Sequence, residues 1–161
     1  NLHRGVNKQN LIYPSLSETI SSQDQHFSRF CLMNAQSLRN KTAMFIDYIC
    51  DLKLDIIAVT ETWLSGDDDA IKAECIPDGY KLELGVSRSE RRGGGAALIY
   101  RSSITVKQIN VHQRSSFEIS EFSLAHDSWR VRLAIFYRTP YSRSHPVTLA
   151  TFITEFSEYL E

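Results

Sequence analysis

The sequence predicts a mixed α/β fold, and three observations carry that expectation. Two short apolar runs, at 30–33 and 55–60, flank an amphipathic stretch long enough for one helix. Strand, helix and strand in that order form a crossover unit, whose two strands are parallel neighbours in one sheet. Alternating segments then follow, most clearly at 129–137, where Trp129, Val131, Leu133, Ile135 and Tyr137 share one face. Helical spacing returns at 147–160, with Leu149, Phe152, Ile153, Phe156 and Leu160 as the apolar stripe.

Residues 1–28 are rich in Asn, Gln, Ser and His without clustered apolar positions. They read as a poorly ordered lead-in, which leaves the domain proper at 29–161. After the first strand, Asn40 is the expected N-cap of a helix over 41–53, with Phe45, Tyr48, Ile49 and Leu52 on one stripe. The second strand ends at Thr60, a loop covers 65–69, and a short helical turn fits 70–74. Strands at 80–86 and 96–100 are joined by a basic, glycine-rich loop. Gly93-Gly94-Gly95 lacks the lysine of a phosphate-cradling loop and serves a strand entry that needs close backbone approach and positive φ. Further strands fit 104–111 and 117–124, His126-Asp127-Ser128 reads as a hairpin turn, and Ser144 and Pro146 are start signals for the last helix.

Apolar content of 42% and charged content of 23% are ordinary for one globular domain. A net charge of −1 gives no global sign of nucleic-acid binding, so any such surface is local. Two local concentrations exist: Arg88, Arg91 and Arg92 against Glu90, and Arg130, Arg132, Arg138 and Arg143 with no acid over 129–145. Cys31, Cys50 and Cys75 are odd in number and form no Cys-x-x-Cys pair, which favours buried free thiols in a reducing compartment over zinc or disulfides. No apolar run reaches membrane length and no signal-peptide core precedes the domain, so a nuclear or cytoplasmic site is expected, without a membrane partner.

Each run of the crossover unit ends in one metal-competent side chain, Asn34 and Glu61. Parallel strands bring both ends to one edge of the sheet, where open α/β sheets place their ligands. An amide beside a carboxylate suits a hard divalent ion such as magnesium, which takes one or two protein carboxylates and fills its remaining positions with water and phosphate. The alternative for Asn34 is a turn-forming residue after a buried strand. Trp63 reads as packing, and Asp67-Asp68-Asp69 as a solvated loop and helix start rather than a metal cluster. None of the five histidines has metal-ligand or triad spacing.

Asn34 in LMNAQSL, Glu61 in IIAVTETWL, the glycines of RRGGGAALIYR and Tyr137 in IFYRTP occur in one order and at consistent spacing. Together they resemble the exonuclease–endonuclease–phosphatase superfamily, and more narrowly the apurinic-type endonuclease domain of non-LTR (LINE-type) retrotransposons. The resemblance begins near Phe30 and implies a four-layer α/β/β/α sandwich. It also implies a magnesium-dependent phosphodiesterase, with manganese as a substitute, that nicks DNA. Asn34 and Glu61 would hold the metal, Tyr137 would face the scissile phosphate, and Arg138, Arg91 and Arg92 would contact nucleic acid. The implied partners are DNA and the reverse transcriptase region of the same polyprotein.

The family's Gly-Asp-Phe-Asn-like and Ser-Asp-His-like segments, which supply the water-orienting Asp and the His, do not occur in these 161 residues. The chain is therefore expected to be a truncated domain, inactive alone, holding one sheet and little of the other, with an apolar sheet face left without its partner. Two other readings stand beside the nuclease: a non-catalytic remnant that binds nucleic acid or another protein, and a phosphatase of the same superfamily. A Rossmann nucleotide-binding domain is excluded by the missing glycine fingerprint.

Overall fold

Four consecutive apolar residues in a strand require both faces to be covered, and Ile56–Thr60 is buried at every position. The structure is a computed structural model and describes residues 28–86, 93–127 and 129–161. The lead-in expected over 1–28 lies outside the described residues except for Ser28. Strand β1 (Phe30–Asn34) pairs in parallel with β2 (Ile56–Thr60), Phe30 opposite Ile56 and Asn34 opposite Thr60. Helix α1 (Thr42–Asp51) makes the crossover and buries Phe45 and Ile49, with Tyr48 and Leu52 packed at the margin. Its N-cap is Lys41 rather than Asn40, and no side chain caps it. The Lys41 ammonium is spent elsewhere, donating to the carbonyls of Ala35 at 2.6 Å and Gln36 at 3.1 Å. After α2 (Asp69–Glu74), β3 (Tyr80–Leu84) and β4 (Ala96–Arg101) run antiparallel and complete a sheet of order β1-β2-β4-β3.

A second sheet follows, where the sequence predicts one sheet and little of another, and it covers the inner face at β2 and β4. Strands β5 (Thr105–Gln113), β6 (Glu118–His126) and β7 (Trp129–Tyr137) form an antiparallel meander that packs face to face on the first sheet. Phe122, Leu124 and Ile135 meet Ile56, Ala58, Leu98 and Tyr100 between the sheets. For β6 and β7 alternation is the cause, since it turns an apolar face toward the first sheet; β5 is exposed at most positions and packs there through Val106. The two sheets approach closely at Gly85, where a Cβ would lie 2.6 Å from the Ser120 Cβ. Ser120 Oγ accepts a hydrogen bond from the Val86 amide at 2.9 Å, tying the sheets together there. Phe30, Leu32 and Val131 lie in register with Ile56, Ala58 and Leu124 on the inter-sheet face, yet stay exposed at the β1 and β7 edges, where the opposite sheet does not cover them.

Helix α3 (Leu149–Leu160) packs on the outer face of the second sheet, so the layers run helix, sheet, sheet, helix. Its buried side is narrower than the stripe read from the sequence. Phe152, Phe156 and Tyr159 engage Phe117 and Phe136, while Leu149, Ile153 and Leu160 are exposed. The cap is Thr148, whose hydroxyl accepts from the Thr151 amide at 3.2 Å, and neither Ser144 nor Pro146 starts the helix. Of the three thiols expected to be buried, Cys75 is, Cys31 is half-buried, and Cys50 is exposed on α1. Among the described residues no helix is long and apolar enough to cross a membrane.

Polar contacts fix the rotation of α3. Glu155 accepts hydrogen bonds from the Ser116 amide at 3.0 Å and its hydroxyl at 2.6 Å, and Tyr159 donates to buried Glu121, which also holds Arg132. Burial pushes the Glu121 carboxyl up, but hydrogen bonds from Tyr159 and Arg132 and the Arg132 charge outweigh it and hold it below the usual carboxylate range. Hydrogen bonds from Ser115 and Ser116 likewise hold Glu155 below that range. Acids depressed in the folded state add stability that is complete above their unfolded pKa and is lost as pH falls through the folded one. Acidification below 4.5 is therefore expected to loosen α3, read as loss of near-ultraviolet circular dichroism from its aromatic cluster. Glu155→Gln should shrink the pH-dependent part; an acid transition identical to wild type would show that Glu155 is not its cause.

Candidate active site at the edge of strand β2

The parallel pairing of β1 and β2 runs on past both strands. Amides of Ala35, Ser37 and Leu38 donate to the carbonyls of Thr60, Glu61 and Thr62 at 2.9, 2.8 and 3.1 Å. That ladder brings Asn34 and Glu61 together: Asn34 Nδ2 donates to Glu61 Oε1 at 3.1 Å. Asn34 Oδ1 accepts from the Gln36 amide at 3.2 Å, which settles the amide's orientation and turns its NH₂ group to the carboxylate. Tyr137, at the end of β7 in the other sheet, donates its hydroxyl to the same Oε1 at 2.7 Å. One oxygen of a half-buried carboxylate is thus held from both sheets. No described residue hydrogen-bonds the other oxygen.

The backbone around this carboxylate is strained. Gln36, Ser37, Glu61 and Trp63 have φ of 47°, 79°, 52° and 55°, in the left-handed region that disfavours L side chains. Such residues cost about 1–3 kcal/mol each and persist only where their surroundings over-determine them. Here the surroundings are the triglycine. Gly94 and Gly95 carbonyls accept from the amides of Trp63 at 3.1 Å and Thr62 at 3.3 Å. Gly95 has φ of 82°, and a Cβ there would sit 2.9 Å from Thr62 Oγ1, so positive φ and close approach are both required. The strand-entry role read for these glycines is the one they have.

Glu118, which the sequence reading passed over, supports the same loop. Almost fully buried on β6, its Oε2 accepts from the Gly95 amide at 3.1 Å. The available signal was a carboxylate in register with Phe122 and Leu124 on the core-facing side of an alternating strand. Asp68 also differs from expectation. It is not a solvated loop acid but accepts from the Ser65 amide at 2.7 Å, the Ser65 hydroxyl at 2.8 Å and Arg39 at 2.6 Å. Those Ser65 hydrogen bonds and the Arg39 charge hold its carboxyl below the usual range. Trp63 is exposed rather than packed.

Arg138 is turned away from the site. Its guanidinium lies over the Phe152 ring of α3, 5.7 Å from the centroid, on the side of β7 opposite to that of Tyr137. Arg88, Arg91 and Arg92 lie outside the described residues. Among the described residues no three His, Cys, Asp or Glu side chains converge as a metal cage. A single open carboxylate oxygen at a polar, half-exposed edge is a donor set for a hard cation that keeps waters and phosphate oxygens, and is unsuited to zinc.

Neither a family model nor a curated protein sequence matches the chain. Solved structures do. The AP endonuclease LMAP from Leishmania major superposes with a TM-score of 0.52 at 19% identity, covering 68% of this chain and 40% of that one. A truncated TDP2 from Caenorhabditis elegans gives 0.54 at 16% identity, over 80% of this chain and 53% of that one. The endonuclease domain of TRAS1, a telomere-specific non-LTR retrotransposon, gives 0.50 at 12% identity, over 81% of this chain and 51% of that one. The chain has the exonuclease–endonuclease–phosphatase fold. It spans about half the length of these structures or less. Within the exonuclease–endonuclease–phosphatase fold, the helix–sheet–sheet–helix order and the triad of Asn34, Glu61 and Tyr137 across the two sheets are what this chain contributes.

Proposed function

We propose that this chain supplies the metal-holding and phosphate-facing part of a magnesium-dependent phosphodiesterase, a DNA endonuclease of the non-LTR retrotransposon type. The observation that carries the reading is the convergence of Asn34 and Tyr137, from two different sheets, on one oxygen of Glu61. Two donors on Oε1 restrain the carboxylate, and the other oxygen, which no described residue hydrogen-bonds, is the one that would take the cation. Glu61 is the residue that would hold magnesium; Asn34, expected from the sequence as a second metal ligand, has its Oδ1 taken by the Gln36 amide and its NH₂ turned to Glu61, so it acts on the carboxylate instead. Bound there, the ion would neutralise charge developing on phosphate oxygens and favour attack by water. Tyr137 holds Glu61 and brings a phenol to the side on which the phosphate would lie. The retrotransposon assignment rests on the TETWL and YRTP motifs and on the fold shared with the TRAS1 domain.

The test is metal-dependent binding of an oligonucleotide. Magnesium should promote binding and chelation should reverse it, and Tyr137→Phe should weaken Mn²⁺ affinity about 10-fold, the low end for loss of a residue that orients a metal ligand. Binding indifferent to chelation and to Tyr137→Phe would remove the metal from this site. Plasmid nicking separates catalysis from a binding-only role. Because the water-orienting Asp and the His have no counterpart in these 161 residues, nicking by this chain should not exceed that of Glu61→Gln. Nicking above that control would assign the whole chemistry to this chain.

A further inference from the structure

Trp63 presents a large apolar ring to solvent at a position where its backbone is strained. Its side chain belongs to a residue 40% exposed, between Thr62 at 0% and Leu64 at 2%. Those two buried neighbours anchor the segment, so the residue between them is forced outward. Its φ of 55° would be relieved by glycine, yet the sequence places one of its two tryptophans there. The backbone is tied on both sides: the Trp63 amide donates to the Gly94 carbonyl at 3.1 Å, and its carbonyl accepts from Arg39 Nε at 3.3 Å. The indole leans toward Gly93, where a Cβ would be 3.7 Å from Nε1. A glycine at that point carries no side chain that could cover the ring. Exposing an indole costs hydrophobic stabilisation, and holding it at positive φ costs more. The fold nevertheless fixes it two residues from Glu61, at most about 7 Å along the chain.

We propose that Trp63 is a stacking platform for a nucleobase of the substrate, next to the phosphate that Glu61 and its cation would hold. The inference rests on the phosphodiesterase reading and narrows its substrate to a polymer with exposed bases: single-stranded or locally opened nucleic acid. A flat π face accepts any base, so Trp63 adds affinity and places the backbone without reading sequence. A sugar–phosphate chain without bases would gain nothing from it. That difference separates Trp63 from residues that contact only phosphate.

Trp129 is the other tryptophan, at the β6–β7 turn, where it stacks on His126 with centroids 5.9 Å apart. In a Trp129→Phe background the fluorescence therefore reports Trp63 alone. With magnesium present, an oligothymidylate should quench that fluorescence, and an abasic oligonucleotide of equal length should bind without quenching. Trp63→Leu should weaken oligothymidylate binding about 10-fold and leave abasic binding unchanged, while Trp63→Phe recovers part of the loss. Equal binding of both polymers by wild type and Trp63→Leu would overturn the stacking role alone. If neither polymer binds, the phosphodiesterase reading falls, and this inference falls with it.

Discussion

Glu61→Gln is expected to lower the affinity for Mn²⁺, used as the spectroscopic substitute for magnesium, by about 100-fold or more. Losing a residue that only orients a metal ligand typically costs 10–100-fold, and this change removes the ligand's charge itself. The substitution is close to isosteric, keeps the same backbone demand at φ 52°, and leaves an oxygen able to accept from Asn34 and Tyr137. Thermal stability should therefore change little while metal binding collapses. Paramagnetic titration with Mn²⁺ measures the first quantity and a melting curve the second. Unchanged affinity would move the metal away from Glu61. A large fall in melting temperature would mean that the carboxylate is a structural group, held by Asn34 and Tyr137 for packing alone.

The elements were legible because local patterns decide them. Strand alternation at 129–137 and the continuous run at 56–60 describe faces; the run at 56–60 is buried throughout, while the face at 129–137 is buried at Ile135 and exposed at Val131. What lies against a face is not a local property. Phe122 and Leu124 announce an apolar surface, but nothing in their spacing says that the sheet holding Ile56 and Leu98 covers it. That pairing is set by distant contacts such as the close approach of Gly85 to Ser120. Helix α3 makes the same point: Phe152 and Ile153 fit one apolar stripe equally well, and the tertiary contacts of Phe152, Glu155, Phe156 and Tyr159 choose the rotation that leaves Ile153 exposed. Asn34 and Glu61 were legible from the geometry of a crossover unit, and Tyr137 from the family resemblance. Glu118 and Trp63 were not, since a buried acid and an exposed indole each contradict the usual preference of their residue type.

Phe122→Ala is expected to be the most damaging substitution to stability, at about 3–5 kcal/mol, the usual range for truncating a fully buried aromatic. Phe122 is 0% exposed and lies between the two sheets with Ala58, Leu98 and Ile135. A loss of that size is a large part of the roughly 5–15 kcal/mol that stabilises an ordinary domain. It should also reach the candidate site, because Glu61 leaves the first sheet and Tyr137 comes from the second, and their 2.7 Å contact needs the sheets in register. Val131→Ala is the matched control. It sits in the same meander on β7 but is 49% exposed, so its cost should stay within about 0.5 kcal/mol. Denaturant melts of the two variants, with Mn²⁺ titration of each, measure both effects. If Phe122→Ala costs no more than Val131→Ala, the sheets are not packed on each other in solution. If it unfolds the meander yet leaves Mn²⁺ affinity intact, Tyr137 is not what holds the Glu61 carboxylate.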